Sequence, residues 1–218
     1  MAELTLTAFV SLDGVMQAPG GPEEDGSNGF RHGGWLVPHF DDEVGKFMDG
    51  VFSKVDAFLL GRTTYDIFAA YWPQVTDPAD QVAAKLNSLP KFVASRTRSV
   101  FSWGNTTHVS DVVREVAELK RRFEREVQVH GSAGLAQTLI GHDLVDTYRL
   151  LVFPVVLGTG KRLFESGTVP RTLKLISANT TGKGAIISIY RPAGRLLTGT
   201  YGIEAGREKI IEPSLAAR

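Results

Sequence analysis

The chain has 218 residues, with 24 basic and 24 acidic side chains, 23 glycines, ten prolines and no cysteine. Without cysteine there is no disulfide, no thiolate metal site and no thiol nucleophile, and a chain this long buries enough surface to need no such staple. Zero formal net charge argues against broad electrostatic capture of nucleic acid or an anionic membrane, because no charge excess drives it.

Leu4–Val10 alternates Leu4, Leu6 and Ala8 with Thr5 and Thr7 and predicts a strand, which runs into Ser11-Leu12-Asp13-Gly14. Residues 17–34 hold six glycines together with Pro19 and Pro22 and predict a long mobile loop without a packed element. Val44, Phe47, Met48 and Val51 fall at helical spacing between Asp41 and Phe52, with Asp41, Asp42 and Glu43 suited to the positive end of the helix. Ala57–Leu60 predicts a buried strand stopped by Gly61, and Arg62–Tyr71 a helix. Asp77-Pro78 reads as the cap and first turn of a helix reaching about Leu86, and Lys91–Ser95 is strand-like. Val112, Val116, Leu119 and Phe123 mark an amphipathic helix after Ser110. Val127–His130 is a strand, Gly131-Ser132 a turn, Ala133–Ile140 a helix and Tyr148–Phe153 a buried strand. From Leu173 the pattern is purely β: Leu173–Ser177, Ala185–Tyr190, a turn at Pro192-Ala193-Gly194, then Leu196–Tyr201. The segment from Glu204 is polar and is expected to fray.

Strands alternating with helices up to about residue 153 predict an α/β fold, its mainly parallel sheet covered on both faces and finished by a C-terminal antiparallel hairpin. No linker divides the chain, so a single domain over residues 1–203 with a tail at 204–218 is expected. The longest central apolar run, Leu150–Phe153 resuming at Val155–Leu157, is far short of the ~20 residues that span a bilayer. The start lacks the basic and apolar regions of a signal peptide, which leaves a soluble, cytoplasmic protein as the expectation.

Ligands in such a sheet bind beyond the carboxyl ends of the parallel strands. Gly61-Arg62-Thr63-Thr64, Ser95-Arg96-Thr97 and Gly131-Ser132-Ala133-Gly134 each follow a strand. Glycine lets backbone approach a phosphate, a helix start offers N–H groups, and Arg62 and Arg96 are suited to charge-assisted hydrogen bonds. Each junction alone is more often a plain turn, and each arginine more often a solvated charge or a carboxylate partner; repetition over successive strand ends is the signal. The five histidines show no ligand spacing, so no metal site is expected. Gly158-Thr159-Gly160-Lys161 has Val155 where a phosphate-binding P-loop needs its first glycine. Lys161 and Arg162 stand as candidates for a substrate phosphate or as solvated loop charges. Asp13 either meets a substrate or closes a turn with Gly14. Asp41 and Asp42 at the start of the helix from 41 suit its capping.

Gly61-Arg62-Thr63-Thr64-Tyr65 with Tyr71-Trp72-Pro73, then Ser95-Arg96-Thr97, Val129–Gly134 and Phe153–Gly160, resembles in order and spacing the dihydrofolate-reductase-like fold, a three-layer α/β/α arrangement. Ser11-Leu12-Asp13-Gly14 makes the chain most similar to the reductase domain of the riboflavin-biosynthesis deaminase–reductase, the RibD C-terminal family, from about Leu4 to Tyr201. The deaminase half has no counterpart, since its zinc motif requires cysteine. The resemblance implies NADPH as cofactor. Gly61, Arg62, Thr63 and Thr64 would cradle its pyrophosphate; Ser95, Arg96 and Thr97 would hold the 2′-phosphate. Gly131, Ser132, Ala133, Gly134 and Leu135 would form the turn and helix start against the nicotinamide side and the phosphates, with Val10 and Val15 near the carboxamide. Loop 17–34 would cover the active site, Trp35 and Lys161 would meet the substrate, and Asp13, Asp41 or Asp42 would supply the acid. The implied activity is reduction of 5-amino-6-(5-phosphoribosylamino)uracil. A dihydrofolate or pterin reductase and a module that holds NADPH without turnover stay open as alternatives. The resemblance also implies a homodimer, with the late hairpin or an exposed sheet edge as the pairing surface.

Overall fold

The computed structural model describes residues 1–131 and 133–215. In chain order the elements are β1 (Glu3–Ser11), α1 (Asp42–Phe52), β2 (Val55–Gly61), α2 (Arg62–Tyr71), α3 (Gln81–Ser88), β3 (Lys91–Ala94), β4 (Thr106–Val109) and α4 (Val112–Arg122). Then follow β5 (Glu126–His130), α5 (Ala133–Gly141), β6 (Thr147–Phe153), β7 (Arg171–Thr180), β8 (Ile186–Arg195), β9 (Leu197–Glu204) and β10 (Arg207–Leu215). One sheet has the order β4-β3-β2-β5-β1-β6-β8-β7. Its pairings from β4 to β6 are parallel, whereas β8 runs antiparallel to both β6 and β7.

The alternation in β1 now has a physical meaning. Leu4, Leu6, Ala8 and Val10 pack with Val116 and Leu119 of α4 and Leu135 and Leu139 of α5. The opposite face builds a second core from Val44, Met48 and Phe52 of α1, Tyr65 of α2 and Leu86 of α3. Helices therefore cover both faces, giving the expected three layers. Because β1 lies between β5 and β6, its polar face is buried too: Thr5, Thr7 and Ser11 are almost inaccessible.

The boundaries depart from the sequence pattern in places. Helix α3 starts at Gln81 rather than at Asp77, because Asp80 caps it by accepting from Ala83 N at 2.8 Å. Asp77 Oδ1 accepts from Ala79 N in a turn of its own. Edge strand β4 is short and polar, defined by its pairing with β3. Pro192-Ala193-Gly194 makes no turn; it continues β8, with Pro192 opposite Leu173 beside a register shift where a missing N–H is tolerated. The turn falls at Ala205-Gly206, whose φ values of 51° and 76° are the left-handed pair a two-residue hairpin needs. The segment after Glu204 is ordered as far as Leu215, where β10 pairs antiparallel with β9 in a two-stranded sheet of its own; residues 216–218 of the expected tail lie outside the described residues.

Residues 17–34 are packed, against the expectation of an open loop. Gln17 Nε2 donates to the carbonyls of Asp25 and Ser27, both at 3.0 Å, and Trp35 Nε1 donates to Gln17 O at 2.8 Å. Phe30 and Ala18 are buried. A Cβ on Gly33 would lie 2.5 Å from Gly21 O and 2.7 Å from Pro22 O, so the loop touches itself backbone to backbone. Its glycines serve close packing as much as freedom.

Candidate functional site

The carboxyl ends of the parallel strands and the loop after β1 enclose one cleft of about 1470 Å³. Gly61, Arg62, Thr63 and Thr64 form one part of its wall, Ser95 and Arg96 another, and Gly131, Ala133, Gly134 and Leu135 a third. Lys161 also reaches it. The sequence-nominated turns therefore converge on a single space. Ser132 lies outside the described residues.

Each turn is built for close approach. Gly61 is the N-cap of α2 with extended backbone (φ −75°, ψ 156°) and gives no side-chain cap, so the positive end of α2 faces the cleft. Arg62 and Arg96 are exposed at its rim. Arg98, by contrast, pairs with Asp66 at 2.5 Å and is occupied. Ser95 Oγ accepts from Arg98 N at 2.9 Å, which leaves its hydroxyl hydrogen to donate elsewhere. Gly131 takes a φ of 76°, and a Cβ on Gly134 would meet nothing within 4 Å, so both glycines leave room for a ligand.

The other nominated residues lie outside the cleft wall. Val10 and Val15 sit in the two cores, Val15 bridging to Arg162. Trp35 pins the loop and packs edge-on against Phe153, ring centroids 6.0 Å apart. Thr97 lies in the turn below Ser95, its N–H donating to Ser95 Oγ at 3.3 Å. Asp13 accepts from Ser11 Oγ at 2.7 Å, Leu157 N at 3.1 Å and Gly158 N at 2.8 Å, and Arg162 donates to it. The Ser11 hydroxyl and those N–H groups hold its carboxyl well below the usual range against the opposing effect of burial. Asp41 caps α1 through Val44 N at 3.0 Å and also accepts from Lys183 N at 3.0 Å; these bonds, Val44 N–H foremost, lower its pKa. Asp42 is exposed in the first turn of α1. None of these residues belongs to the cleft wall among the described residues.

The carboxyls that do reach the cleft come mainly from the loop. Burial raises Glu24 above the ordinary carboxyl range, although Gly20 N and Gly21 N donate to it. Burial also opposes the charge of neighbouring Asp25, but Lys161 Nζ at 2.6 Å and Ser27 outweigh it and hold that carboxyl low. Lys161 is thus a tether of the loop.

The floor holds two residues that pattern reading passes over, Thr7 and His130. His130 stacks on Phe52 with ring centroids 4.8 Å apart. Burial, and secondarily the charge of Arg149, pushes its pKa down to about 3. The signal that finds them is a polar residue on the inner face of a strand with neighbours on both sides.

The family model described as the RibD C-terminal domain matches residues 2–187. YyaP of Bacillus subtilis (strain 168), an uncharacterized protein, is 29% identical over 190 residues, covering 86% of this chain and 93% of YyaP. The diaminohydroxyphosphoribosylaminopyrimidine deaminase/5-amino-6-(5-phosphoribosylamino)uracil reductase of Thermotoga maritima superposes with a TM-score of 0.59 at 15% identity, over 88% of this chain and 57% of that one. The dihydrofolate reductase of Enterococcus faecalis, solved with NADP(H), superposes with a TM-score of 0.56 at 12% identity, over 88% of this chain and 96% of that one. The fold is dihydrofolate-reductase-like.

Proposed function

Because the chain belongs to the RibD C-terminal domain family, we propose that it is an NADPH-dependent reductase of a small heterocycle, nearest in substrate to 5-amino-6-(5-phosphoribosylamino)uracil. The observation that carries this reading is the convergence of the Gly61, Ser95 and Gly131 turns on one cleft rimmed by Arg62 and Arg96. The start of α2 and the two arginines suit a ligand bearing several phosphates. Ser95 and Arg96 would hold a 2′-phosphate, and Gly131 and Gly134 offer the room a nicotinamide dinucleotide needs. NADPH, when bound, supplies a hydride. The chain must then deliver a proton and keep water out. Phe9, Leu36, Phe40, Met48 and Phe52 give the cleft an apolar wall. Glu24 is the proton donor in this reading, since a half-buried carboxyl in the cleft wall whose pKa burial raises suits general-acid chemistry. Asp41 and Asp42, away from the wall, make a dihydrofolate-type site the weaker reading.

The partner proposed is a second copy of the chain in a cytoplasmic homodimer. Hairpin β9–β10 exposes Leu197, Tyr201, Ile203, Ile210 and Ile211, and a lone two-stranded hairpin is marginally stable in water. Light scattering that gives a monomer mass would refute the dimer. For the activity, NADPH oxidation is followed with the pyrimidinedione phosphate and, separately, with dihydrofolate. Turnover of the first alone is expected; turnover of dihydrofolate alone, or of neither, overturns the assignment.

A further inference from the structure

Thr7 and His130 are register partners on β1 and β5, so their side chains leave the sheet on the same face, and both line the cleft floor. Thr7 is 2% exposed, and among the described residues its Oγ1 has no hydrogen-bond partner. An unpartnered buried hydroxyl costs stability, so valine would serve better there if Thr7 only filled space.

His130 is set by its neighbours. Gln128 Nε2 donates to Val51 O and to Glu126 Oε2, both at 2.7 Å, which makes Gln128 Oε1 the accepting end of that amide. His130 Nε2 lies 3.0 Å from Oε1 and therefore carries the hydrogen. In the neutral ring Nδ1 is then a lone-pair acceptor. Glu126, which anchors Gln128, is itself held by two hydrogen bonds from Arg149. A chain of buried polar groups thus fixes one tautomer at the cleft, beside a hydroxyl able to donate, between the apolar walls of Phe9, Phe40 and Met48.

We propose that Thr7 and His130 select a flat heterocycle presenting a ring N–H beside a ring carbonyl, the Thr7 hydroxyl donating to the carbonyl and His130 Nδ1 accepting from the N–H. This deepens the reductase reading, on which it rests, by naming the edge of the substrate that the cleft reads. Gln128 acts here as a positioning residue.

The test uses binding rather than turnover. 5-Aminouracil and its 1,3-dimethyl derivative, which lacks the ring N–H groups, are titrated into protein carrying nitrogen-15 histidine, with and without NADPH. Wild type is expected to show the Nε2–H tautomer, to shift its His130 resonances with 5-aminouracil, and to bind the dimethyl compound roughly tenfold more weakly. Thr7→Val is expected to melt at a higher temperature yet bind 5-aminouracil roughly tenfold more weakly. Equal affinity for the two probes, no binding of 5-aminouracil, the other tautomer, or a Thr7→Val protein that is less stable or binds as wild type would each overturn the pairing. Failure of NADPH binding with probe selectivity intact would instead strike the cofactor reading alone.

Discussion

Arg149 on β6 reaches over the central strand β1 to grip Glu126 on β5, with Nη1 to Oε2 at 3.0 Å and Nη2 to Oε1 at 2.6 Å. Both side chains are nearly inaccessible, and Thr5 of the bridged strand points its hydroxyl at the same carboxylate. Removing one partner leaves a buried charge alone, which costs about 3–5 kcal/mol. Arg149→Met is therefore expected to lose that much in urea unfolding, while Arg149→Met with Glu126→Leu recovers much of it. Two single variants each losing little would show that the pair carries no such strain.

His130 ties stability to pH. Its pKa is 6.5 in an unfolded chain and about 3 in the fold, because burial, with help from Arg149, disfavours the cation. Between those values the unfolded chain binds a proton that the folded chain refuses. Stability is then fully present above pH 6.5 and falls on acidification towards 3, at up to about 1.4 kcal/mol per pH unit. Urea unfolding of His130→Asn between neutral pH and about pH 4.5 should show a flatter dependence than wild type in this window. An identical slope would contradict the assignment.

Asp13 locks the turn after β1 to the 157–162 loop through Leu157 N, Gly158 N and Arg162. Asp13→Ala is expected to lower stability by about 1–2 kcal/mol, at the modest end because the site is partly exposed. NADPH affinity and turnover per folded molecule should be unchanged. A collapse of turnover at unaltered melting temperature would return Asp13 to the chemistry.

Glu24→Gln tests the proton donor. The amide keeps an oxygen to accept from Gly20 N and Gly21 N but has no proton to give. Turnover is expected to drop about 10²-fold or more with NADPH binding intact. In wild type the rate should fall as pH rises through the raised pKa of Glu24, and the variant should lose that limb. Wild-type turnover in the variant would refute the assignment.

The strand–glycine–helix junction at Leu60–Arg62 and the cap at Asp41 were legible in sequence because each is a local rule: a glycine that ends an apolar strand just before a helix, an oxygen accepting an N–H three residues on. The convergence of Arg62, Ser95 and Gly134 on one side followed from the parallel order of their strands. What stayed hidden depends on distant partners. Strand β4 exists through its pairing with β3, and Pro192 and Gly194, turn-formers by composition, are drawn into β8 by β7. The packing of residues 17–34 hangs on Gln17, Trp35 and the Lys161–Asp25 pair, none of which a local pattern announces. Thr7 and His130 were masked for the same reason: a threonine in an alternating strand reads as a solvent face until the strand proves central.

The central claim, that this cleft holds NADPH through the strand-end turns, is tested most directly by fluorescence titration of NADPH and NADH into wild type and Arg96→Ala. One charge-assisted hydrogen bond is worth about 1.5–3 kcal/mol, so wild type should favour NADPH, and Arg96→Ala should weaken NADPH by about ten- to a hundredfold while leaving NADH little changed. Equal affinity for the two nucleotides in wild type, or no binding of either, would contradict it.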